Sequence, residues 1–542
     1  MTYLLTISIG PVQEFIAAAR RTADLQAGSE LLTKVAESVA ESVQASGGKL
    51  IFPAKAHIEG ANKILAELEG DPATISATAK AKAQDYLRQE WKEVFDALTP
   101  GMQSKVDTYL AEEQIATFLE FYAAWVPLKA DYRESRQEAD RLLAGRKALR
   151  EFEPAPQCPG YPKSPLDPSR DCVIQTDTGF VVPPVCQKHP LWLKSRETLD
   201  AISLLKRVKG VLNKENSTPS TALMAARAFL PKARQIAPDT VAELEELAKR
   251  AGSGVDLGDL LYSGRFEEYC KEEAVSDEKK SHILALRSCL AKVLGGGELN
   301  PHYAILVADG DRMGEKLEKM DSAKQHRDFS QNLADFANGV KEIVNKAEGH
   351  LIYAGGDDVL ALLPVTTAIA CADSLAKAFK SKMTGTLSAG IAIVHFLEPL
   401  QNSIDEARKV EKEAKKERNS LAVALHTRGG SPLTVSLSWE CKPDETWKVL
   451  IKEFSGKMAR GFPYELQALA REFRNLDLPK ERFVERLQNE TLRILKRKRG
   501  GEALESEMSK RIRAIGSAKE LDTLADQCVI ARFLAGAGEE NV

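Results

Sequence analysis

The chain has no run of apolar residues near the roughly 18 needed to span a bilayer, which argues against a membrane partner. It has no basic leader segment and no small-residue cleavage site. Met1 runs directly into the apolar residues 3–9, which read as a strand rather than a signal peptide. Cysteine is sparse, eight in 542 residues with no C-x-x-C pair, which argues against a disulfide scaffold and for a cytoplasmic location. Neither sign of charge prevails: 75 Lys+Arg stand against 78 Asp+Glu, a formal net charge of −3. That balance excludes a uniformly basic coat for nucleic acid but leaves room for a local basic patch. Low-complexity tracts and short-period repeats are also missing. What is present, 43% apolar and 28% charged residues, is a globular composition long enough for about three to four domains.

Residues 1–52 read as strand, helix, helix, strand. Gly10-Pro11 breaks the first strand, and Pro suits the first turn of a helix whose apolar face carries Phe15, Ile16 and Ala19. A second helix is expected after Gly28, with Ser29 as its N-cap. Residues 50–52 form a short strand stopped by Pro53, residues 76–114 are helical, 118–126 a strand and 131–151 a charged helix. Prolines and glycines crowd residues 154–190, a loop-rich insertion that holds Cys158, Cys172, Cys186 and His189. Helical patterning resumes over 191–297, where Gly295-Gly296-Gly297 reads as a hinge.

The segment 302–430 is the most legible. Strands are expected at 302–308, 350–353, 359–363, 387–396 and 421–426, with helices at 331–347, 368–383 and 404–417. The order β-α-β-β-α-β, with a further helix and strand, is that of a ferredoxin-like palm. Beyond about residue 440 the pattern is helical to the end. Residues 1–150 begin with a similar strand–helix–strand series, without an acidic turn.

Two acidic elements stand at strand ends in the palm-like segment. One is Asp309-Gly310-Asp311, directly after an apolar strand. The other is Gly355-Gly356-Asp357-Asp358, a tight turn between two apolar strands. Either alone is an ordinary turn. In one β-α-β-β frame their carboxylates converge and repel each other unless a hard, oxygen-seeking cation such as Mg²⁺ or Mn²⁺ lies between them. Two metals about 4 Å apart can activate a ribose hydroxyl and neutralise a pyrophosphate leaving group. Gly355 and Gly356 let the backbone turn tightly and approach a nucleotide. Lys415 and Lys416 follow on a helix that can face a triphosphate, although its Glu/Lys pairs also read as a solvated face.

Four stretches together resemble the large polymerase/cyclase subunit of type III CRISPR–Cas effector complexes, in the III-B form. They are Ile7-Ser8-Ile9-Gly10-Pro11-Val12-Gln13-Glu14-Phe15-Ile16 with Ala27-Gly28-Ser29-Glu30-Leu31-Leu32; Gly145-Arg146-Lys147-Ala148-Leu149-Arg150 with Lys163-Ser164-Pro165-Leu166-Asp167; Ala308-Asp309-Gly310-Asp311-Arg312-Met313-Gly314; and Tyr353-Ala354-Gly355-Gly356-Asp357-Asp358-Val359-Leu360. The resemblance implies an α+β fold with two ferredoxin-like palm domains of the nucleotide cyclase/polymerase type, a helical insert and a helical C-terminal domain. The expected divisions are 1–190, 191–297, 298–432 and 433–542. It implies ATP bound between the palms and its target-RNA-stimulated conversion into cyclic oligoadenylate. Its partners would be guide RNA, target RNA and the other subunits of the complex. Asp309, Asp357 and Asp358 would be metal ligands, Asp311 a further ligand or an orienting carboxylate. Gly310, Gly355, Gly356, Ser29 and Lys415 would contact nucleotide.

The chain departs from that family in three places. No His is directly followed by Asp, so a nuclease dyad of the kind many relatives carry is not expected. Cys158, Cys172, Cys186 and His189 are spaced too loosely for the zinc modules of relatives, so Zn²⁺ is the less favoured reading. Ala414-Lys415-Lys416-Glu417-Arg418-Asn419 is one residue shorter than the corresponding motif of related cyclases and lacks its glycine. Lys496-Arg497-Lys498-Arg499 is the densest basic run, either an RNA or subunit contact or a solvated helix end. Trp439, Trp447, His395 and His426 read as structural. Three other outcomes stay open: AMP conjugation to a small acceptor such as S-adenosylmethionine, a non-catalytic scaffold, and a stand-alone dinucleotide cyclase.

Overall fold

The computed structural model describes residues 1–57, 62–149, 154–174, 197–212, 218–251, 255–272, 275–296, 299–456, 458–476, 479–499 and 506–538. Their strands form two sheets. The first holds β1 (Tyr3–Gly10), β2 (Lys49–Phe52), β3 (Lys63–Leu68) and β4 (Glu120–Pro127) in the order β2-β3-β1-β4. The second holds β5 (His302–Gly310), β6 (His350–Gly355), β7 (Asp358–Leu363), β8 (Leu387–His395), β9 (Ser420–Leu425) and β10 (Leu433–Ser438) in the order β10-β9-β8-β5-β7-β6. In each, four strands repeat one order: the first strand lies between the fourth and third, and the second is at the edge. Both sheets are therefore ferredoxin-like palms, and the α+β expectation is borne out.

Six helices place the site: α1 (Gln13–Ala17), α2 (Thr22–Ala45), α3 (Ala201–Leu212), α4 (Ala323–Lys346), α5 (Ala368–Met383) and α6 (Leu400–Glu417). Both faces of the first sheet are covered, so β1 is apolar almost throughout instead of alternating. Leu5, Ile7 and Ile9 join the core that contains Val35 and Val39 of α2, while Leu4 packs on the other face with Tyr132 and Ala139. Residues 201–212, expected in a separate helical unit, lie against α2. There the buried Arg207 holds Asp24 at 2.9 Å and Glu197 at 2.9 Å.

Three local expectations are corrected. Ser29 is not an N-cap: α2 begins at Thr22, and Ser29 lies buried inside it. Gly28 is tolerated mid-helix because a Cβ there would stand 3.0 Å from Lys206 Cδ and 3.7 Å from Ile16 Cα, so its absence permits close packing. Strand β3 was not anticipated; it completes the first palm between β1 and β2. Strand β10 lies beyond the expected division at 432/433. It pairs antiparallel with β9 from Leu433↔Leu425 to Ser438↔Ser420 and extends the second sheet.

The palms pack reciprocally: α2 of the first lies on β6 of the second, and α4 of the second lies on β2 of the first. Polar contacts fix the second of these. Arg327 Nε donates to Leu50 O at 2.9 Å, Ala54 N donates to Ser330 Oγ at 2.9 Å, and Tyr132 Oη lies 2.9 Å from His326 Nδ1. Such near-symmetry brings Phe52, Pro53 and Asn62 of one palm opposite the β6–β7 turn of the other.

Acid stability follows from this seam. Burial, aided by Arg136 and Lys63 and opposed by Asp140, pulls His326 down to about 4. Its unfolded value is about 6.5. The unfolded chain thus binds the extra proton between these values, and stability falls as pH drops through that window. His302 and His350 are lowered to about 4 as well, also mainly by burial. We expect a lower thermal midpoint at pH 5 than at pH 7.5, His326 contributing about 2 kcal/mol. His326→Phe should flatten the dependence; an unchanged slope would contradict the assignment.

The C-terminal part is helical after β10, and Trp447 is fully buried in the second core. Trp439 is half-buried, its indole N–H donating to Leu387 O at 2.7 Å. In the basic run, Lys498 pairs with Glu465 at 2.6 Å, Arg497 also reaches Glu465, and Arg499 reaches Glu453. Each of these three cations thus has an acidic partner in the C-terminal helices, Glu465 being shared by two. No helix among the described residues is long and apolar enough to cross a membrane.

Candidate active site between the two palms

Strand register brings the acidic elements together. Strand β5 pairs with β7 up to Ala308↔Val359, so one further step sets Asp309 beside Asp358. Gly355↔Asp358 closes the β6–β7 hairpin and leaves Gly356 and Asp357 as its two-residue turn. Gly356 adopts φ +68°, a conformation such turns require and glycine supplies without strain. Gly310 serves close approach instead. A Cβ there would stand 2.8 Å from Phe379 Cζ and 2.9 Å from Asp357 Cβ. Gly310→Ala should therefore destabilise the chain by about 2 kcal/mol and displace Asp357. A midpoint and activity equal to wild type would contradict this packing.

Asp357 and Asp358 are half-buried. Burial raises both carboxyls above the usual range, and the Asp357 charge raises Asp358 further. Arg408 on α6 and a hydrogen bond from the Gln13 side chain pull Asp358 the other way. Arg408 also donates to Gln13 O at 3.2 Å, tying the second palm to α1 of the first.

The other two acidic positions differ sharply. Asp311 is buried and has three donors: Ser388 Oγ at 2.7 Å on Oδ1, and Thr386 Oγ1 at 2.7 Å and Asn419 N at 2.9 Å on Oδ2. This geometry favours the orienting role. The bonds join the end of β5 to β8 and to the α6–β9 turn, where Arg418 and Asn419 adopt φ +57° and +47°. Asp309 is half-buried and ion-paired with Lys415 on α6. The Lys415 Nζ also lies 3.3 Å from Glu411 Oε1. Burial, Asp358 and Asp311 push the Glu411 carboxyl up to about 7, Lys412 opposing. Lys416 is exposed and paired with Glu413 at 2.6 Å, away from this cluster.

A cavity of about 300 Å³ opens between the palms, lined by Gln13, Phe52, Asn62, Ser330, Tyr353 and the turn from Gly355 to Asp358. Ser29 lines a narrower recess that shares Asn62 and Tyr353 with this cavity. The carboxylates offer only hard oxygen donors, which suit Mg²⁺ or Mn²⁺. Among the described residues, no three ligating side chains are already gathered into a metal cage. Magnesium sites commonly take one or two carboxylates and complete their shell with substrate phosphates and water.

Gln13 and Tyr353 stand in the motif stretches but carry no role legible there, and Asn62, Ser330, Arg408 and Glu411 carry no motif signal. Gln13 lies in the Gly10–Ile16 stretch that carried a resemblance, the one available signal. The others are brought in by packing between the palms and along α6. Of the zinc candidates, Cys158 is half-buried and Cys172 buried, both free thiols. Cys186 and His189 lie outside the described residues.

Residues 302–422 match the family described as Cas10/Cmr2, second palm domain, and residues 4–143 match CRISPR-associated protein Cmr2, N-terminal. The chain is 26% identical over 629 aligned residues to the CRISPR system Cmr subunit Cmr2 of Pyrococcus furiosus, covering 91% of this chain and 69% of that protein. Its fold is similar to a type III-B Cmr-beta structure in the apo state, with TM-score 0.66 at 12% identity, covering 99% of this chain and 82% of the other. A type III-B Cmr-beta structure bound to cognate target RNA gives TM-score 0.65 at 13% identity, with 99% and 83% covered.

Proposed function

Since the chain belongs to the Cas10/Cmr2 family, the large subunits of type III CRISPR effector complexes, we propose that it is a target-RNA-activated nucleotidyltransferase acting on ATP. The supporting observation is the inter-palm cavity, which sets the Gly355–Asp358 turn against Gln13, Phe52 and Asn62 of the first palm. A metal centre alone can serve many phosphoryl reactions. A metal-suited turn facing a second palm supports a reaction in which two nucleotides meet.

In this reading the β- and γ-phosphates of the donor ATP lie towards Asp309 and Lys415. Asp357 and Asp358 would hold a divalent cation, with Asp309 as a third ligand. A cation bound there would neutralise charge at the pyrophosphate and lower the pKa of the attacking ribose hydroxyl. Gly355 and Gly356 let backbone approach the nucleotide, and Gly310 keeps Asp309 and Asp357 close. Ser29 stands behind the first-palm wall of the cavity. Asp311 positions the α6–β9 turn and hence Lys415. The ribose hydroxyl attacks the α-phosphorus, an O–Pα bond forms as the bond from Pα to the bridging oxygen of the β-phosphate breaks, pyrophosphate leaves, and the hydroxyl proton passes to solvent.

The partners proposed are guide RNA, target RNA and the other subunits, in keeping with relatives described as a Cmr subunit and as Cmr-beta bound to cognate target RNA. The product is cyclic oligoadenylate or a related AMP-containing messenger. The test is mass spectrometry of products from the assembled complex with labelled ATP, Mg²⁺ and matching target RNA, with and without S-adenosylmethionine. Oligoadenylate without the acceptor supports the reading. Product only with the acceptor identifies conjugation, and no product under any condition leaves a scaffold.

A further inference from the structure

Three observations meet at α6. Lys415 is the cation on Asp309, one of the three carboxylates assigned to the metal. The same ammonium lies 3.3 Å from Glu411 Oε1, a buried carboxylate oxygen whose one charged partner is this loose ion pair and which accepts no hydrogen bond of good geometry. Glu411 is held there by backbone packing: a Cβ on Gly390 would stand 2.2 Å from Glu411 N, so α6 lies directly against β8 at this point. Lys415 thus bridges two carboxylates, tightly to Asp309 and more loosely to Glu411, four residues back on its own helix. Nothing else in the proposed mechanism uses Glu411.

We propose that Lys415 is an internal cation that holds Asp309 until a divalent metal displaces it, and that Glu411 is the seat to which it moves. The inference rests on the metal reading of Asp309, Asp357 and Asp358. Its physical basis is competition. A carboxylate paired with an ammonium is a poorer ligand, because the incoming ion must first break that pair. With Lys415 moved to Glu411, Asp309 turns to the metal and the ammonium stays close enough for the phosphates that arrive with it. Free metal would bind weakly and metal–nucleotide well, because the nucleotide gives Lys415 a compensating partner. Glu411 is a positioning residue in this scheme, acting through Lys415.

The experiment is Mn²⁺ binding to the full chain without nucleotide, read as loss of the free-ion electron paramagnetic resonance signal. Lys415→Met should bind Mn²⁺ about tenfold more tightly than wild type, since one competing charge is removed. Glu411→Gln should weaken binding in the wild-type background and leave it unchanged in the Lys415→Met background. A Glu411 that acted only by its own charge would show the same loss in both, so the double-mutant cycle separates the two roles. Lys415→Gln provides a second variant should Lys415→Met fold poorly. Equal or weaker Mn²⁺ binding by both lysine variants overturns the exchange. Binding that persists unchanged in Asp309→Asn, Asp357→Asn and Asp358→Asn overturns the metal reading instead.

Discussion

The double variant Asp357→Asn, Asp358→Asn should lose ATP conversion by about 10³-fold or more while folding at least as well as wild type. The two effects have opposite signs for one reason. The turn holds adjacent, half-buried like charges, which repel each other and are kept from water. Amides of the same shape remove that repulsion, so the thermal midpoint should hold or rise, by about 1 kcal/mol in stability. The same amides are poor ligands for Mg²⁺. Assembly with partner subunits and RNA should be unaffected, because the turn faces the inter-palm cavity. Activity and calorimetry on the same preparation check both halves. Residual activity near wild type sinks the catalytic assignment; a large fall in midpoint would make the turn a folding element.

Asp311→Ala carries the largest expected stability effect. Removing this buried carboxylate strands two hydroxyls and the Asn419 N–H, and releases a turn with two consecutive non-glycine residues at positive φ. A loss of about 3–5 kcal/mol is expected. Asp309→Asn, at a half-exposed ion pair, should cost less than about 1 kcal/mol. Both should impair activity, by different routes: Asp309 through the metal, Asp311 through the placement of Lys415. Denaturation of the two variants side by side, with Mn²⁺ binding, distinguishes them. An Asp311→Ala chain of wild-type stability that has lost Mn²⁺ would make Asp311 a ligand and not a brace.

The second palm was legible because its signals are local. Helix α5 was read to the residue, and the β6–β7 turn is announced by Gly355-Gly356. Where local and tertiary signals conflict, reading failed. Gly28 looks like a helix breaker, yet it sits inside α2, where the buried Lys206 side chain packs closely against it. Strand β10 follows Gly429-Gly430-Ser431-Pro432, which reads as the end of a domain. Helix α4 begins at Ala323, earlier than expected, because Ser322 caps it through Gln325 N. The site divides in the same way. The acidic ligand candidates stand in short motifs, whereas Glu411, Arg408, Ser330 and Asn62 become neighbours of the turn only through helix placement and the packing of one palm on the other. Asp311 shows the limit most clearly. Its motif places it beside Asp309, but its role depends on which atoms face it, and Thr386, Ser388 and Asn419 are remote in sequence.

Metal and nucleotide are expected to meet on the Gly355–Asp358 turn, between the palms. Crystals of the chain grown with Mn²⁺ and a non-hydrolysable ATP analogue test it most directly through the anomalous signal of manganese. The expected result is a manganese peak in bonding contact with Asp357 or Asp358, and a triphosphate running toward Lys415 with Lys415 no longer on Asp309. A nucleotide bound elsewhere, or manganese absent from this turn at saturating nucleotide, would contradict it.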